Sequence, residues 1–313
     1  MTTETSPGGC GTATVRACRA GDVAAILAAM LASHGPDEGD SLEPYQLERA
    51  AERIADNPGS CAVAEVAGHL AGWVAPSEGD LMVLPAYRRR GIGRQLLAAG
   101  QAIAAAEGRE LLRLWVRRQP ASEAFASASG LRPAASLWQM RVAGRDLAAL
   151  PGPAFPTGTA ARTFSLANDP APFATLVNRI FIDHPSPVSL TEDEVRRAHA
   201  TPGFDPTAIL VVEDLSSREM VGFCRVVRYS GRDGSAAGEI RLLGVDRAWR
   251  RKGLGRAVTS WGIAELRRRG AEAVVLAVEG ENTAAQRLYT DMGFRFAAEW
   301  PHWTIAATSA RRD

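Results

Sequence analysis

The sequence lacks the features that would place it in several broad classes of protein. Net charge is almost absent, because 36 lysine and arginine residues face 35 aspartate and glutamate residues, which leaves a formal charge of +1. A near-neutral chain has little general attraction for phosphate, so we expect no nucleic-acid partner. No run of about 18 apolar residues is present, so the sequence also predicts no membrane-spanning helix.

Cysteine is scarce and histidine is scattered. The four cysteines have no CxxC spacing, and the five histidines form no HxxxH or HExxH pattern. A chain of 313 residues needs no disulfide staples, and these spacings predict no metal site. The first residues lack a basic segment followed by an apolar stretch, which is the pattern of a signal peptide. We therefore expect a cytoplasmic protein without a metal ion.

Lysine is nearly missing as well. Lys252 is the only one, and every other basic residue is arginine. Alanine is abundant, and the two biases together are typical of a GC-rich coding sequence such as that of an actinobacterium. The remaining composition, 46% hydrophobic and 23% charged, is that of ordinary globular proteins. It excludes a disordered, collagen-like or fibrous chain.

An internal repeat is the strongest positive signal in the sequence. The stretch Arg88–Arg94 (RRRGIGR) recurs at Arg250–Arg256 (RRKGLGR), and glycines and apolar residues on both sides keep the offset of 162 residues. A stretch dense in proline and glycine, at 148–159, lies between the two copies and predicts a linker. We therefore predict two tandem domains, at residues 12–147 and 160–308.

Both copies have the same predicted order of elements, β-α-α-β-β-β-α-β-α-β-β. In the second copy, Thr191 followed by Glu194 has the pattern of a capping box at a helix start. A strand predicted over 239–245 precedes a helix predicted over 253–269, and the apolar run at 273–278 predicts a buried strand. Strands and helices in this order predict an α+β fold.

The glycine turn between strand and helix predicts a pyrophosphate site. A helix start has unpaired backbone N–H groups and the positive end of the helix dipole, and both suit an anion. Glycines let the backbone approach a ligand, and neighbouring arginines add charged donors. The spacing differs from the dinucleotide fingerprint GxGxxG, because Leu96 and Val258 replace the third glycine, and from the P-loop. The alternative is a solvated basic turn.

These motifs resemble those of the GCN5-related N-acetyltransferase (GNAT) superfamily. The resemblance depends on Arg-x-x-Gly-x-Gly after a strand at 250–255, on Asn-Thr-Ala-Ala at 282–285 and on Leu-Tyr-x-x-Met-Gly-Phe at 288–294. It implies two tandem GNAT-type domains, each with a mixed, mostly antiparallel twisted sheet flanked by helices. It also implies that two splayed central strands form a cleft for acetyl-CoA, the cosubstrate.

Within that superfamily, two such domains in one chain most resemble the mycothiol synthase family. The matching stretches are Leu137–Arg141, Asp183–Pro185, Gly203–Pro206, Gly238–Ile240, Leu243–Asp246 and Val278–Asn282. The resemblance implies acetyl transfer to the primary amine of a small polar molecule, with the cysteinyl-glucosaminyl-inositol precursor of mycothiol as candidate acceptor. Arg241 and Ala277 stand where aromatic residues are expected, which leaves an antibiotic or secondary-metabolite amine as an alternative. A non-catalytic acyl-CoA sensor is the third hypothesis.

The resemblance implies roles for individual residues of the second half. The amine attacks only when neutral, so a base must accept its proton, and an acid must protonate the leaving thiolate. Glu239 takes the position of the base and Tyr289 that of the acid. The alternatives are an exposed glutamate at a strand start and a packing tyrosine. His184, Asp205 and Arg241 are candidates for contacts to the acceptor.

The resemblance implies contacts to CoA at the strand end, the turn and the last helix. Leu243 and Gly244 are expected to form a bulge that presents an amide to the acyl oxygen. Asn282 is expected to cap the last helix and to contact the pantetheine arm. The remaining candidates in the second half are Val245, Arg250, Arg251, Lys252, Gly253, Leu254, Gly255 and Arg256. Their counterparts in the first half are Val83, Arg88, Arg89, Arg90, Gly91, Ile92, Gly93 and Arg94.

The first half lacks the catalytic residues. Ala126 stands at the tyrosine position, Gln119 at the asparagine position, and Ser77 aligns with Glu239. Glu78 is adjacent, but on a strand it would face the opposite side. We therefore predict that the first domain keeps a CoA-binding turn without catalysis, and that the second domain is catalytic.

Overall fold

The chain forms two compact units. The structure, a computed structural model, describes residues 12–33, 44–116, 119–182, 190–199, 204–230 and 235–308. The first unit lies within Met1–Trp138, Glu279–Glu281 and Ala298–Asp313, and the second within Gln139–Val278 and Asn282–Ala297. The predicted boundaries, 12–147 and 160–308, are continuous in sequence, whereas these compact units are not. The boundaries therefore stay a prediction about the sequence repeat.

The first unit contains a four-stranded antiparallel sheet. Its order is β1-β2-β3-β4, with β1 at Thr14–Ala17, β2 at Ala62–Val66, β3 at His69–Ala75 and β4 at Asp80–Val83. The helices are α1 (Val23–Ser33), α2 (Pro44–Asp56), α3 (Ile92–Ala106) and α4 (Pro120–Ala128). Strand β5 (Leu111–Trp115) pairs antiparallel with the end of the last strand of the chain, from His302 opposite Trp115 to Ala306 opposite Leu111. The fully buried Trp73 and Leu96 lie in the core.

The second unit contains a mixed sheet in the order β6-β11-β10-β9-β8-β7. The strands are β6 (Arg132–Ala143, of which 139–143 belong here), β7 (Thr159–Thr163), β8 (Ile209–Asp214), β9 (Met220–Ser230), β10 (Ala236–Val245) and β11 (Ala273–Glu279). Strands β7 to β10 pair antiparallel, and β11 is parallel to β10. The helices are α5 (Gly144–Ala148), α6 (Pro170–Phe181), α7 (Glu192–His199), α8 (Leu254–Arg268) and α9 (Thr283–Asp291).

Helices cover both faces of the sheet in the second unit. Helix α8 packs on one face, where Leu266 lies against Gly238. On the other face, Phe173 and Leu176 of α6 and Val195 of α7 belong to a buried apolar cluster. The predicted α+β fold, with a mostly antiparallel sheet flanked by helices, is confirmed. Among the described residues, no helix is both long and apolar enough to cross a membrane.

Local predictions in the second half agree with the structure except at the C-terminus. The capping box at α7 is present, since Thr191 N–H donates to Glu194 Oε2 (2.7 Å) and Glu194 N–H donates to Thr191 Oγ1 (3.3 Å). Two final strands were expected, but the structure has one strand of 12 residues, β12 (Arg295–Ala306). Residues 295–297 of this strand belong to the second unit, and its residues from Ala298 onward belong to the first unit.

A partly buried ion-pair network joins the first strand of the first unit to its second strand and first helix. Arg16 on β1 makes two hydrogen bonds to Asp22, at 2.7 and 2.8 Å. The same guanidinium also binds Glu65 on β2, at 2.5 and 3.1 Å. These contacts hold the pKa of the Asp22 carboxyl below its ordinary value. A single arginine therefore fixes the strand pair to the start of the helix.

The same network recurs in the second unit. Arg162 on β7 makes two hydrogen bonds to Asp169 before α6, at 2.6 and 2.8 Å, and also binds Glu213 on β8. Asp169 is only 1% exposed and accepts a further bond from the Ser165 N–H at 2.6 Å. No sequence motif marked this network, so it is an independent structural sign of the repeat.

We predict that Arg162→Met lowers the free energy of unfolding by about 2–4 kcal/mol, because the buried Asp169 carboxylate would lose its charged partner. Urea unfolding monitored by circular dichroism measures the change. The control is Arg196→Met, which breaks the exposed pair with Glu192 in α7 and should cost less than about 0.5 kcal/mol. Equal losses in both variants would contradict a special role for the Arg162 network.

Candidate active site

The turn before α8 has the geometry of an anion site. Strand β10 ends at Val245, and its carbonyl accepts a hydrogen bond from Arg250 Nε at 3.3 Å. Gly253 is the N-cap of α8 with a left-handed φ of 86°, and Arg251 also has a positive φ, of 60°. The first N–H groups of α8, at 254–256, have no acceptor within the helix. They point out of the helix start together with the positive end of its dipole.

The turn of the first unit repeats this conformation. Arg88 Nε donates to the Val83 carbonyl at 3.0 Å, Arg89 has a φ of 63°, and Gly91 is the N-cap of α3 with a φ of 79°. A cation also lies over an aromatic ring in each turn. In the first unit, Arg90 Cζ lies 5.7 Å from the centroid of the Tyr87 ring. In the second unit, Lys252 Nζ lies 4.8 Å from the centroid of the Trp249 ring.

The cationic candidates of both turns are exposed, whereas the apolar ones are not. Leu254 and Ile92 are buried, so only their backbone is available to a ligand. The glycines Gly93 and Gly255 follow them in the first turn of each helix. The exposed candidates are Arg88, Arg89, Arg90, Arg94, Arg250, Arg251, Lys252 and Arg256. Exposed cations beside helix N–H groups can bind phosphate, so the predicted role suits this geometry and stays a prediction.

Strands β10 and β11 separate partway along their length. Their parallel pairing runs from Ala237 opposite Ala273 to Ile240 opposite Leu276 and then stops, although the strands continue to Val245 and Glu279. We call this point the fork. Beyond it, no strand of the described part of the chain pairs with the edge of β10 that faces β11.

The bulge in β10 lies at Arg241, so its expected position at Leu243 and Gly244 is wrong. The pairing of β10 with β9 shifts register between Ile240 and Leu242, and Leu243 and Gly244 then pair regularly with Cys224 and Phe223. Glycine at 244 has a packing reason instead. An added Cβ would lie 2.7 Å from the Phe223 ring and 3.0 Å from Ile180 Cδ1.

Glu239 lies one residue before the end of the β10–β11 pairing. Its neighbours Gly238 and Ile240 contact α8, so the alternation of the strand directs Glu239 to the opposite face. The side chain is 6% exposed. Burial raises the pKa of the Glu239 carboxyl, and the nearby Arg241 guanidinium, at 3.3 Å, opposes the rise. A carboxylate with a raised pKa suits a general base.

Tyr289, the candidate acid, is a buried side chain whose pKa is influenced by the Cys224 thiol. It lies on α9, is 8% exposed, and its ring centroid is 6.0 Å from that of Phe294. Burial raises the pKa of Tyr289 to about 12, and the Cys224 thiol adds a smaller electrostatic contribution. The Cys224 Sγ itself lies on the α8 face, 2.9 Å from where a Cβ on Gly262 would stand. At neutral pH the phenol therefore keeps its proton and can donate it.

The remaining candidates have different surroundings. Asn282 caps α9, since its Oδ1 accepts from the Ala285 N–H at 3.1 Å; a contact to the pantetheine arm stays a prediction. Asp205 accepts from Thr207 and pairs with Arg269 at 2.6 Å, just beyond the C-terminal end of α8. Among the described residues, no hydrogen bond joins Asp205 to the fork. His184 lies outside the described residues.

The first unit differs from the second at the position of the fork. Ser77 and Glu78 lie in a turn before β4, not on a strand as expected, and the Glu78 carboxylate binds Arg53 at 2.9 Å. At the repeat offset, Gly79 corresponds to Arg241 and Trp115 to Ala277. The Trp115 indole N–H donates to the Glu78 carbonyl (3.0 Å), and the ring lies 3.0 Å from where a Cβ on Gly79 would stand.

A tryptophan therefore fills the place in the first unit where the second unit has a small alanine. The backbone N–H of Trp115 donates to the Gly79 carbonyl at 2.8 Å, and this hydrogen bond joins β5 to the turn before β4. The ring of Trp115 stacks on His302 with centroids 3.3 Å apart. The sequence contained no motif for this arrangement. It supports the prediction that the first domain does not catalyse transfer. Among the described residues, no cluster of three metal-ligating side chains occurs.

Comparison with known proteins points to one family. The sequence profile described as "Acetyltransferase (GNAT) family" matches residues 25–130 and 174–294. A protein named mycothiol acetyltransferase from Thermobispora bispora is 37% identical over 234 residues, 74% of each chain. One of the same name from Salinispora arenicola is 34% identical over 291 residues, covering 89% of this chain and 91% of its own.

Solved structures share the fold at lower identity. A tandem GNAT protein from the clavulanic acid biosynthesis pathway has a TM-score of 0.67 at 19% identity, covering 95% of this chain and 99% of its own. A GCN5-related N-acetyltransferase from Sphaerobacter thermophilus has a TM-score of 0.68 at 23% identity, covering 94% of this chain and 96% of its own. At these identities the likeness is one of fold.

We predict that Gly253→Ala raises the KM for acetyl-CoA about tenfold, because the strained N-cap would move the N–H groups that bind charged phosphate. Gly91→Ala is the matched control. Both glycines have a left-handed φ and open space around them, so both variants should lose about 1–2 kcal/mol of stability. Steady-state kinetics and thermal unfolding measure the two effects. An equal rise in KM for both variants would contradict the prediction that the turn at Gly253 alone binds the pyrophosphate of the reacting acetyl-CoA.

Proposed function

The chain belongs to the Acetyltransferase (GNAT) family, and from that premise we propose that its second half transfers an acetyl group from acetyl-CoA to the primary amine of a small polar molecule by direct attack. The observation that carries the proposal is the fork between β10 and β11. Glu239 lies one residue before it and faces away from α8, while the Cys224 thiol that influences the pKa of Tyr289 lies on the α8 face. The turn before α8 lies at the end of the same strand.

The residues of the second half fit acetyl-CoA. The N–H groups at the start of α8 and the exposed cations of the turn suit its pyrophosphate. The edge of β10 beyond Ile240 has backbone groups that a ligand with amides can pair with, in the manner of an added strand. This edge leads from the turn toward Glu239. We infer that the pantetheine arm occupies it.

Glu239 and Tyr289 divide the proton transfers between them. Glu239 in its carboxylate form accepts the proton of the acceptor amine directly or through water as the nitrogen attacks the acetyl carbonyl. A backbone N–H of β10 donates to the carbonyl oxygen as charge develops there. The C–S bond then breaks, and the phenol of Tyr289 donates its proton to the leaving thiolate. The proton balance closes when Glu239 releases the amine proton to solvent and Tyr289 takes one proton back from solvent.

The acceptor we propose first is the cysteinyl-glucosaminyl-inositol precursor of mycothiol. Relatives at 34–37% identity named mycothiol acetyltransferase support it. Arg241 and Ala277, both at the fork, favour a second candidate, an antibiotic or secondary-metabolite amine, because they replace the aromatic residues that the mycothiol synthase resemblance implies. The paired acid and base argue against a sensor that only binds acyl-CoA.

We predict that Glu239→Gln lowers kcat/KM at least about tenfold, as expected for a general base. In the wild type, kcat/KM should fall as the pH drops through the pKa of Glu239, which lies above its ordinary value, because protonation removes the base. The variant should lose the part of this acid limb that Glu239 causes, and only the fall caused by protonation of the acceptor amine should remain. A pH series of initial rates measures it, and an unchanged limb in Glu239→Gln would reject Glu239 as the base.

Tyr289→Phe should also lower kcat at least about tenfold. With the pKa of Tyr289 raised to about 12, the phenol stays protonated through neutral pH, so the loss should be nearly constant between pH 6 and about 9. Phe294→Leu, which changes the neighbouring ring alone, serves as the packing control. Near-wild-type turnover in Tyr289→Phe would exclude it as the acid.

The acceptor is tested by release of the CoA thiol from acetyl-CoA in the presence of candidate amines. We expect the cysteinyl-glucosaminyl-inositol precursor, with its own thiol blocked, to give the highest kcat/KM, and aminoglycosides to give lower values. A higher kcat/KM for an antibiotic amine would favour the second candidate. Acetyl-CoA binding without transfer to any amine would favour the sensor.

A further inference from the structure

Arg241 occupies a special position in the fork. It is the residue at which the register of β10 shifts relative to β9, and it immediately follows the last residue that pairs with β11. A bulge re-aims the side chain of its extra residue and often lies beside an active site. Leu242, the next residue, already packs into the apolar cluster under α6 and α7. Arg241 is therefore a polar side chain placed at the fork, beside Glu239.

The guanidinium of Arg241 uses one of its N–H donors on Glu239 and has others that can bind a ligand. Among the described residues its one hydrogen bond is to Glu239, from Nη1 to Oε2 at 3.3 Å, and the side chain is 35% exposed. A guanidinium has five N–H donors in a planar fork. A contact at that distance uses one of them. The remaining donors suit a second acceptor group that arrives with a ligand.

The neighbouring strand leaves room for such a ligand. Ala277 follows the last paired residue of β11, and its side chain is exposed. Its counterpart in the first unit is Trp115, whose ring fills the space beside Gly79. The second unit therefore combines an added arginine with an added space at the same two positions.

Charge decides what can occupy this space. An amine approaches Glu239 as an ammonium group or becomes positively charged as it reacts. The Arg241 guanidinium, 3.3 Å from the Glu239 carboxylate, repels that positive charge. An oxygen near the amine reverses this penalty, because it can accept from the guanidinium. The pair presents a hydrogen-bond acceptor and a donor side by side, which complements an amine and a carboxylate on one carbon atom.

We propose that Arg241 selects acceptors by binding an oxygen on the carbon next to the amine-bearing carbon, so that α-amino carboxylates are favoured over α-amino amides, and both over simple amines. The inference rests on the proposed acetyl transfer and names the chemistry that the same site recognises. Arg241 touches the substrate in this role, and Glu239 remains the base.

The test uses three thiol-free acceptors that differ only beside the amine: S-methylcysteine, S-methylcysteinamide and S-methylcysteamine. Release of CoA thiol from acetyl-CoA gives kcat and KM for each. With the wild type, we expect kcat/KM for the carboxylate to exceed that for the simple amine by about tenfold or more, as for a hydrogen bond to a charged group. The amide should lie between them.

The variant Arg241→Gln should bring the carboxylate-to-amine ratio to within about threefold, mainly through KM of the carboxylate, since one charged contact is lost. KM for S-methylcysteamine should be unchanged or lower, because the repulsion is gone. The matched control is Arg228→Gln, which removes an exposed arginine from β9 opposite Gly238. It lies on the α8 face of the sheet and should keep the wild-type ratio.

The outcomes separate this inference from the proposed function. Transfer to all three amines with no wild-type preference, or a preference that survives in Arg241→Gln, overturns the role of Arg241 and leaves acetyl transfer intact. A preference lost equally in Arg228→Gln overturns it as well. Absence of transfer to any of these amines, to the mycothiol precursor and to the antibiotic amines overturns both.

Discussion

The separation of β10 from β11 after Ile240 is the constraint on which the candidate site depends. Backbone N–H and C=O groups need partners, and a strand that leaves its neighbour must find them elsewhere. Arg241 is the residue at which β10 shifts register, and the opened edge runs from there to the turn before α8. A ligand with amides along its length can pair with that edge. A pyrophosphate at the end of the same ligand suits the helix start at the turn. Glu239 lies at the inner end of that edge.

The two halves share the conformation of the glycine turn and differ at the position of the fork. The turns at Gly91 and Gly253 have matching dihedral angles and matching arginine contacts to the preceding strand. Such a turn depends on a few neighbouring residues. The fork depends on two strands that must separate, and in the first unit Trp115 occupies that place. The turn and the fork therefore have different structural requirements within one fold.

Much of the local structure could be predicted because its causes are local. The capping box of Thr191 and Glu194 and the glycine N-caps follow from residues within one turn of helix. The paired networks around Arg16 and Arg162 had no such signal, since each joins a carboxylate 49 or 51 residues away on a neighbouring strand. Only strand pairing brings those groups together, so no spacing in the sequence marks them.

The sequence by itself determined the repeat, the α+β order of elements, the family and the two glycine turns, because these depend on short-range patterns and backbone preferences. The tertiary structure decided the position of the bulge at Arg241, and it gave Gly244 a packing role against Phe223 and Ile180 instead. It also decided that the end of β12 belongs to the first unit. Register and strand partners are set by contacts between residues far apart in the chain, and a sequence read along its length does not contain those distances.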